Sequence, residues 1–314
     1  MDRFMTLAVP DGAVTIDPHL GHLRGLRFWD GRKWLDPLHC AGREGRCEAA
    51  IRPGRPASAA RASAALWQDD SPWEVREVVQ SGRAALARLS LGGTMQGASV
   101  EKEISLRRGE PILYQSHLLS GGRGTLSLAH HPVVHMAAGG RLSYSPKRRA
   151  PGGDAAPDAG FAGPVDLPDG PGLRRPLTLV EAAGNPLGWT AVLRHAEEDI
   201  VFVLRDPEML PVTTLWTAER GRVLGIGDGC ASGDGTGTGC AAPGGDCADG
   251  RCPLALAPRR VHRLRHAIGV VPRPKGWSHV TAVSIDQNTL RLEGDGEGAV
   301  WLPFDGRFFG GTRQ

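Results

Sequence analysis

The sequence predicts an all-β fold, a large antiparallel sandwich assembled from many short strands. Apolar and polar residues alternate with a period of two in segment after segment, which is the pattern of strands. The 44 glycines and 24 prolines supply frequent turns. No stretch of ordinary helix length carries a 3.6-residue apolar period. A chain of 314 residues that is 40% hydrophobic can bury a sizeable core. One domain spanning 1–314 is expected.

Taken in order, Val14 to Ile16 reads as a short strand. The run from Gly21 to Trp29 and the run Lys33-Trp34-Leu35 flank Asp30-Gly31, a hairpin signal. Residues 41–64 are rich in Arg, Ala, Pro and Gly and read as a loop. Leu66-Trp67, Glu74 to Gln80, Ala84 to Leu91 and Ser99 to Arg107 follow as strands. In Gly109 to Met136, Ile112, Tyr114, Ser116 and Leu118 alternate with Leu113, Gln115, His117 and Leu119. Gly121-Gly122-Arg123-Gly124 then turns the chain. In the strand that follows, Leu126 and Leu128 share one face, and Thr125, Ser127, Ala129 and His131 share the other. Residues 147–173 form a long Pro/Gly/Asp-rich loop. Strands resume at Leu177 to Val180, Gly188 to His195, Ile200 to Arg205 and Val212 to Trp216. Residues 227–253 form a second glycine-rich loop holding Cys230, Cys240, Cys247 and Cys252, whose spacing matches no zinc motif. Val261 to Val271, His279 to Ile285, Leu290 to Leu292 and Ala299 to Pro303 complete the strands.

Bulk properties restrict the function. With 37 basic against 34 acidic residues the net charge is +3, which gives no electrostatic reason to expect nucleic acid or an anionic membrane as partner. The N-terminal residues lack the apolar run and small-residue cleavage site of a signal peptide, and no window reads as a membrane span. A cytoplasmic location with free thiols is expected. There is no dinucleotide fingerprint, phosphate loop or nucleophile elbow, so no cofactor is expected.

Several segments carry a family resemblance. The charged strand ending at Leu106, the R-x-G-E-P-I-L run ending at Leu113, and the strand closing on His131-Pro132 come first. Leu210-Pro211-Val212-Thr213-Thr214-Leu215-Trp216, Val223-Leu224-Gly225-Ile226 and Arg265-His266-Ala267-Ile268-Gly269-Val270 continue in order. Together they resemble the galactose mutarotase-like, or aldose 1-epimerase-like, superfamily. The resemblance implies a twisted supersandwich and a small-molecule sugar as partner. It also implies acid–base interconversion of anomers, in which an acid protonates the ring oxygen and a base removes the anomeric hydroxyl proton.

His131 is the candidate acid. Alternation turns it to a small, polar face, and an imidazole with an unperturbed pKa of about 6.5 exchanges protons near neutrality. The same histidine could instead be structural, closing a strand before a proline. His130, His131 and His135 lack a carboxylate or cysteine at ligand spacing, so no metal is expected. In relatives the text after Leu224-Gly225-Ile226 continues with a catalytic glutamate, but here Gly227 and then Asp228 follow. Asp228 and Glu219 are the candidate bases. A shift of one position turns a side chain to the other face of a strand, so the resemblance supports sugar binding more securely than catalysis. His135, His22 and Arg24 are candidate hydroxyl ligands, Arg24 through its planar fork of donors. Trp216 is either a groove platform for a sugar's C–H face or a core residue. An aldose 1-epimerase-like enzyme is thus the leading expectation. A carbohydrate-binding protein that has lost the base is the alternative. A third reading is an interaction protein using the two long loops.

Overall fold

The computed structural model describes residues 4–39, 48–53, 72–149, 164–167, 176–231 and 253–310. Two large antiparallel sheets dominate. The first has ten strands. In spatial order these are Met5–Val9, Gly12–Asp17, His22–Trp29, Glu48–Pro53, Leu128–His135, Val223–Gly229, Val212–Ala218, Leu177–Glu181 and Lys147–Arg149, with Trp34–Leu35 paired onto His22–Trp29. The second has nine strands: Val165–Leu167, Gly140–Tyr144, Gly188–Arg194, Asp199–Arg205, Val261–Pro272, Glu110–Gly121, Ala98–Arg107, Ala84–Leu91 and Trp73–Gln80. Gly124–Leu126 pairs with Leu254–Leu256, and Val280–Asp286, Thr289–Gly294 and Ala299–Pro303 make a three-stranded sheet. Among the described residues no helix is long and apolar enough to cross a membrane.

Most expected strands form within a residue or two of their expected bounds. The Asp30-Gly31 turn does join paired strands, with Trp29 opposite Trp34 and Gly31 at φ +97°. The glycine turn after Ser120 also forms, with positive φ at Gly121, Gly122 and Gly124. It does not make a hairpin, however. Glu110–Gly121 lies in the second sheet and Leu128–His135 in the first, so the turn carries the chain between layers.

Three expectations need correcting. The loop at 147–173 contains strands Lys147–Arg149 and Val165–Leu167. Gly227 and Asp228, placed at the start of the second loop, belong to strand Val223–Gly229. Within 41–64, Glu48–Pro53 is a strand. The remainder of these loops, Leu66-Trp67 and the other five cysteines lie outside the described residues. Cys230 is a buried free thiol whose Sγ accepts the Leu128 N–H at 3.1 Å, so it belongs to the core.

The main core lies between the two large sheets. Val14, Ile16, Leu23 and Phe28 meet Val100, Ile104, Leu113, Val203 and Ile268 there. A second cluster covers the other face of the second sheet. Ile200, Phe202, Trp189 and Ala267 pack under Trp277, Leu290, Leu292 and Phe304 of the C-terminal region. Burying one such side chain contributes roughly 1.5–3 kcal/mol.

A polar seam runs through the main core. From the second sheet, Arg205 pairs with Glu181 and, at 3.1 Å, with Asp228 in the first sheet. His266 lies 3.4 Å from the other Asp228 oxygen, and Thr213 donates to Asp228 at 2.7 Å. The His266 ring stacks on His130 with centroids 4.3 Å apart, and His130 meets His117 edge-on at 4.9 Å. Lys147 reaches Glu181 at 3.2 Å, and burial pushes its ammonium down to about 7. Lys102 donates to the Gly21 carbonyl at 2.8 Å. Arg194 forms a two-pronged pair with Asp199 on its own sheet and donates to the carbonyls of Asp36 and His135 across the gap.

This seam generates two predictions. Arg205→Met removes the guanidinium shared by two buried carboxylates and should destabilise the protein by about 3–5 kcal/mol, seen as a large fall in Tm. Burial, then the charge of Lys102 and the neighbouring His130 and His266, hold His117 well below the ordinary histidine value of 6.5. The unfolded chain therefore binds a proton that the native state refuses. Stability should fall as pH drops below about 6.5, by at most ~1.4 kcal/mol per pH unit for this one group. Denaturant titrations of wild type and His117→Leu across that range should show a shallower slope in the variant.

Candidate functional site on the outward face of the first sheet

Strand Leu128–His135 has two faces of different character. Leu128, His130, Pro132 and Val134 are buried, while Ala129, His131, Val133 and His135 are half-exposed. The strand continues through Pro132 and does not close at His131. The reason is in the ladder. Pairing with Val223–Gly229 holds at Ala129 and His130, lapses at His131 and Pro132, and resumes at Val133. The missing proline N–H falls in that gap.

Register assembles the outward face around His131. Gly225 lies opposite Val133 on one side and Trp216 on the other. Gly227 pairs with Thr214, which pairs with Thr178. Two glycines thus make the middle strand a smooth floor. A Cβ at Gly225 would stand 1.9 Å from Trp216 Cε2, so the half-exposed indole lies directly on that backbone. A Cβ at Gly227 would stand 3.2 Å from His131 Cε1 and Nδ1. The Thr178 and Thr214 hydroxyls lie 3.4 Å apart beside this floor. The result is a strip of sheet surface, called the trough below, with an indole, an imidazole and hydroxyls on a glycine bed.

His22 and Arg24 project from the same face of His22–Trp29, two strands from His131 and roughly 10 Å away. Both are buried. The Arg24 guanidinium pairs with Asp17 at 2.7 Å and lies over the Phe4 ring at 5.3 Å. It is therefore a held side chain, buried and committed to Asp17.

His135 marks the far end of the trough, four residues or about 13 Å along the strand from His131. His135 Nδ1 lies 3.5 Å from Glu197 Oε1, and its ring stacks on His39 with centroids 5.6 Å apart. His39 Nε2 lies 3.4 Å from Glu219 Oε1. Glu219 opens a 3-10 turn at φ +51°, left-handed for a non-glycine residue. Arg194 supports this end from below through the His135 carbonyl.

The two candidate bases separate from His131. Asp228 is fully buried on the opposite face of its strand. Burial by itself would raise its pKa, but the Arg205 guanidinium, His266 and the Thr213 hydroxyl together hold it well below the usual carboxylate range. It is a structural anion, and the register shift of one residue from Gly227 is the cause. Glu219 is on the solvent side but beside His39 and His135. Sequence reasoning missed His39 and Glu197. His39 follows Pro37 and the isolated bridge residue Leu38, where there is no periodicity, and Glu197 comes from a turn of the other sheet. Among the described residues no group of three or more His, Cys, Asp or Glu is arranged to hold a metal ion.

No family model and no curated protein matches the sequence. Solved structures do match its fold. A putative aldose 1-epimerase from Escherichia coli K12 aligns at TM-score 0.59 and 12% identity, over 85% of this chain and 98% of that one. A galactose mutarotase related enzyme from Lactobacillus acidophilus aligns at 0.58 and 12%, over 87% and 98%. A galactose mutarotase-like protein from Clostridium acetobutylicum aligns at 0.60 and 11%, over 85% and 94%. The chain has the galactose mutarotase-like fold.

The glycine bed is directly testable. Gly225→Ala must displace the Trp216 indole and should change tryptophan fluorescence. Gly227→Ala asks the His131 ring to move by only a few tenths of an ångström, so it should leave the fluorescence close to wild type.

Proposed function

We propose that the protein is carbohydrate-active and holds a pyranose on the outward face of its first sheet. The observation that carries this reading is the packing of Trp216 and His131 onto Gly225 and Gly227. An indole presents a flat apolar surface to a sugar's C–H face, and the hydroxyls and imidazoles beside it match the sugar's polar rim. In this reading His131 protonates the ring oxygen. The anomeric hydroxyl gives its proton to water, the C1–O5 bond breaks, and the open-chain aldehyde forms. Rotation about C1–C2 and reclosure return the ring-oxygen proton to His131 and the proton held by water to the anomeric oxygen, yielding the other anomer. One positioned general acid typically contributes 10²–10⁴-fold, so an aldose 1-epimerase-type acceleration of about that size is expected.

A second reading has its own support. Gly227 lacks the glutamate of the resembled family, and Asp228 is locked in the core by Arg205. The protein then binds sugar without turning it over. NMR exchange spectroscopy on free and phosphorylated aldoses separates the two. Epimerase activity requires faster anomer exchange than in buffer, lost by about 10²-fold in His131→Gln. Thermal stabilisation by sugars without faster exchange supports the binding protein. Neither response across the panel rejects both.

A further inference from the structure

A second hollow lies away from the trough. It forms where the 28–35 hairpin of the first sheet meets the end of strand Val261–Pro272 and the three-stranded sheet. Its volume is about 250 Å³. Trp29 lines it and is 42% exposed, a large apolar side chain left in water. Pro111, Pro272 and Leu302 add apolar wall. Asp11 and Asp30 supply the polar groups.

The two carboxylates are fixed in place. Asp11 Oδ2 accepts the Gly109 N–H at 2.7 Å, while its Oδ1 is buried with no hydrogen-bond partner among the described residues. Asp30 Oδ1 accepts the N–H groups of Arg32 and Lys33, both at 2.7 Å. Each carboxylate lines the hollow and keeps acceptor lone pairs beyond those its backbone donors use. We propose that this hollow is a second saccharide site, taking one neutral pyranose with its C–H face toward Trp29 and its hydroxyls donating to Asp11 and Asp30.

Three features choose that ligand. The volume lies below the range of roughly 300–1,000 Å³ typical of drug-sized ligands, which suits one ring and not an oligosaccharide. Two fixed anions accept hydroxyl protons and repel sugar phosphates and uronates. A cage for an organic cation needs several converging aromatic faces. Here Trp34 stands edge-on to Trp29 at 60°, and the Arg27 guanidinium already occupies its face. The site shares no residue with the trough around His131 and stands without the epimerase reading.

The eight tryptophans make fluorine NMR of 5-fluorotryptophan-labelled protein a suitable test. Trp29→Phe and Trp216→Phe assign the two signals. Methyl pyranosides, whose anomers are locked, should give a saturable shift of the Trp29 signal in wild type and in Trp216→Phe. Asp11→Asn should weaken that response about tenfold, and glucose 6-phosphate should leave the Trp29 signal in place. A Trp29 signal indifferent to every glycoside overturns the proposal, as does undiminished binding in Asp11→Asn. So does an equal response to tetramethylammonium, which would identify a cation site. Because Trp216 reports on the trough in the same spectrum, failure of one site is read separately from failure of the other.

Discussion

The Arg205 guanidinium is the constraint on which the outward site depends. It rises from the second sheet and engages Glu181 and Asp228 of the first. Taking three such charges out of water is expensive, and apolar residues of similar volume could hold two sheets together as well. What the ion pairs add is position. Asp228 is tied down on the inner face of strand Val223–Gly229, and the outer face of that strand is the glycine floor under Trp216 and His131. A slip of one residue in this strand would bring a carboxylate out and a glycine in. The buried pair thus opposes the slip that would rebuild the site.

The trough is shaped as much by missing side chains as by present ones. Gly225 and Gly227 let an indole and an imidazole settle onto backbone from opposite sides. Polar groups gather at both margins of the face, with His22 and Arg24 on one side and Thr178 and Thr214 on the other. The described carboxylates on the solvent side concentrate at the His135 end, where Glu197 and Glu219 face a stacked pair of imidazoles. The carboxylates thus stand at one end of the face and the glycine bed at its middle.

The two large sheets also have unequal surroundings. The outer face of the second sheet is capped over much of its area by the C-terminal three-stranded sheet through Trp277, Leu290 and Phe304. The margin of that cap creates the hollow beside Trp29. The outer face of the first sheet keeps a half-exposed band of small, polar and aromatic residues instead. One layer of added structure thus covers part of one sheet's outer face, while the corresponding face of the other sheet stays half-exposed.

The sequence by itself determined the strands, most of the turns and the outward direction of His131. These are local properties, set by two-residue alternation and by glycine at positive φ, and neighbours along the chain suffice to read them. Only the tertiary structure decided which strands became neighbours. Leu128–His135 pairs with Val223–Gly229 and not with Glu110–Gly121, although the glycine turn joins the latter pair in sequence. The fates of Asp228 and Glu219 followed from that pairing, and that of Arg24 from Asp17 on the strand beside it. A side chain's face can be counted along a strand, but the partner it meets depends on the register of segments far apart in the chain, and register is settled by burial and charge pairing across the whole core.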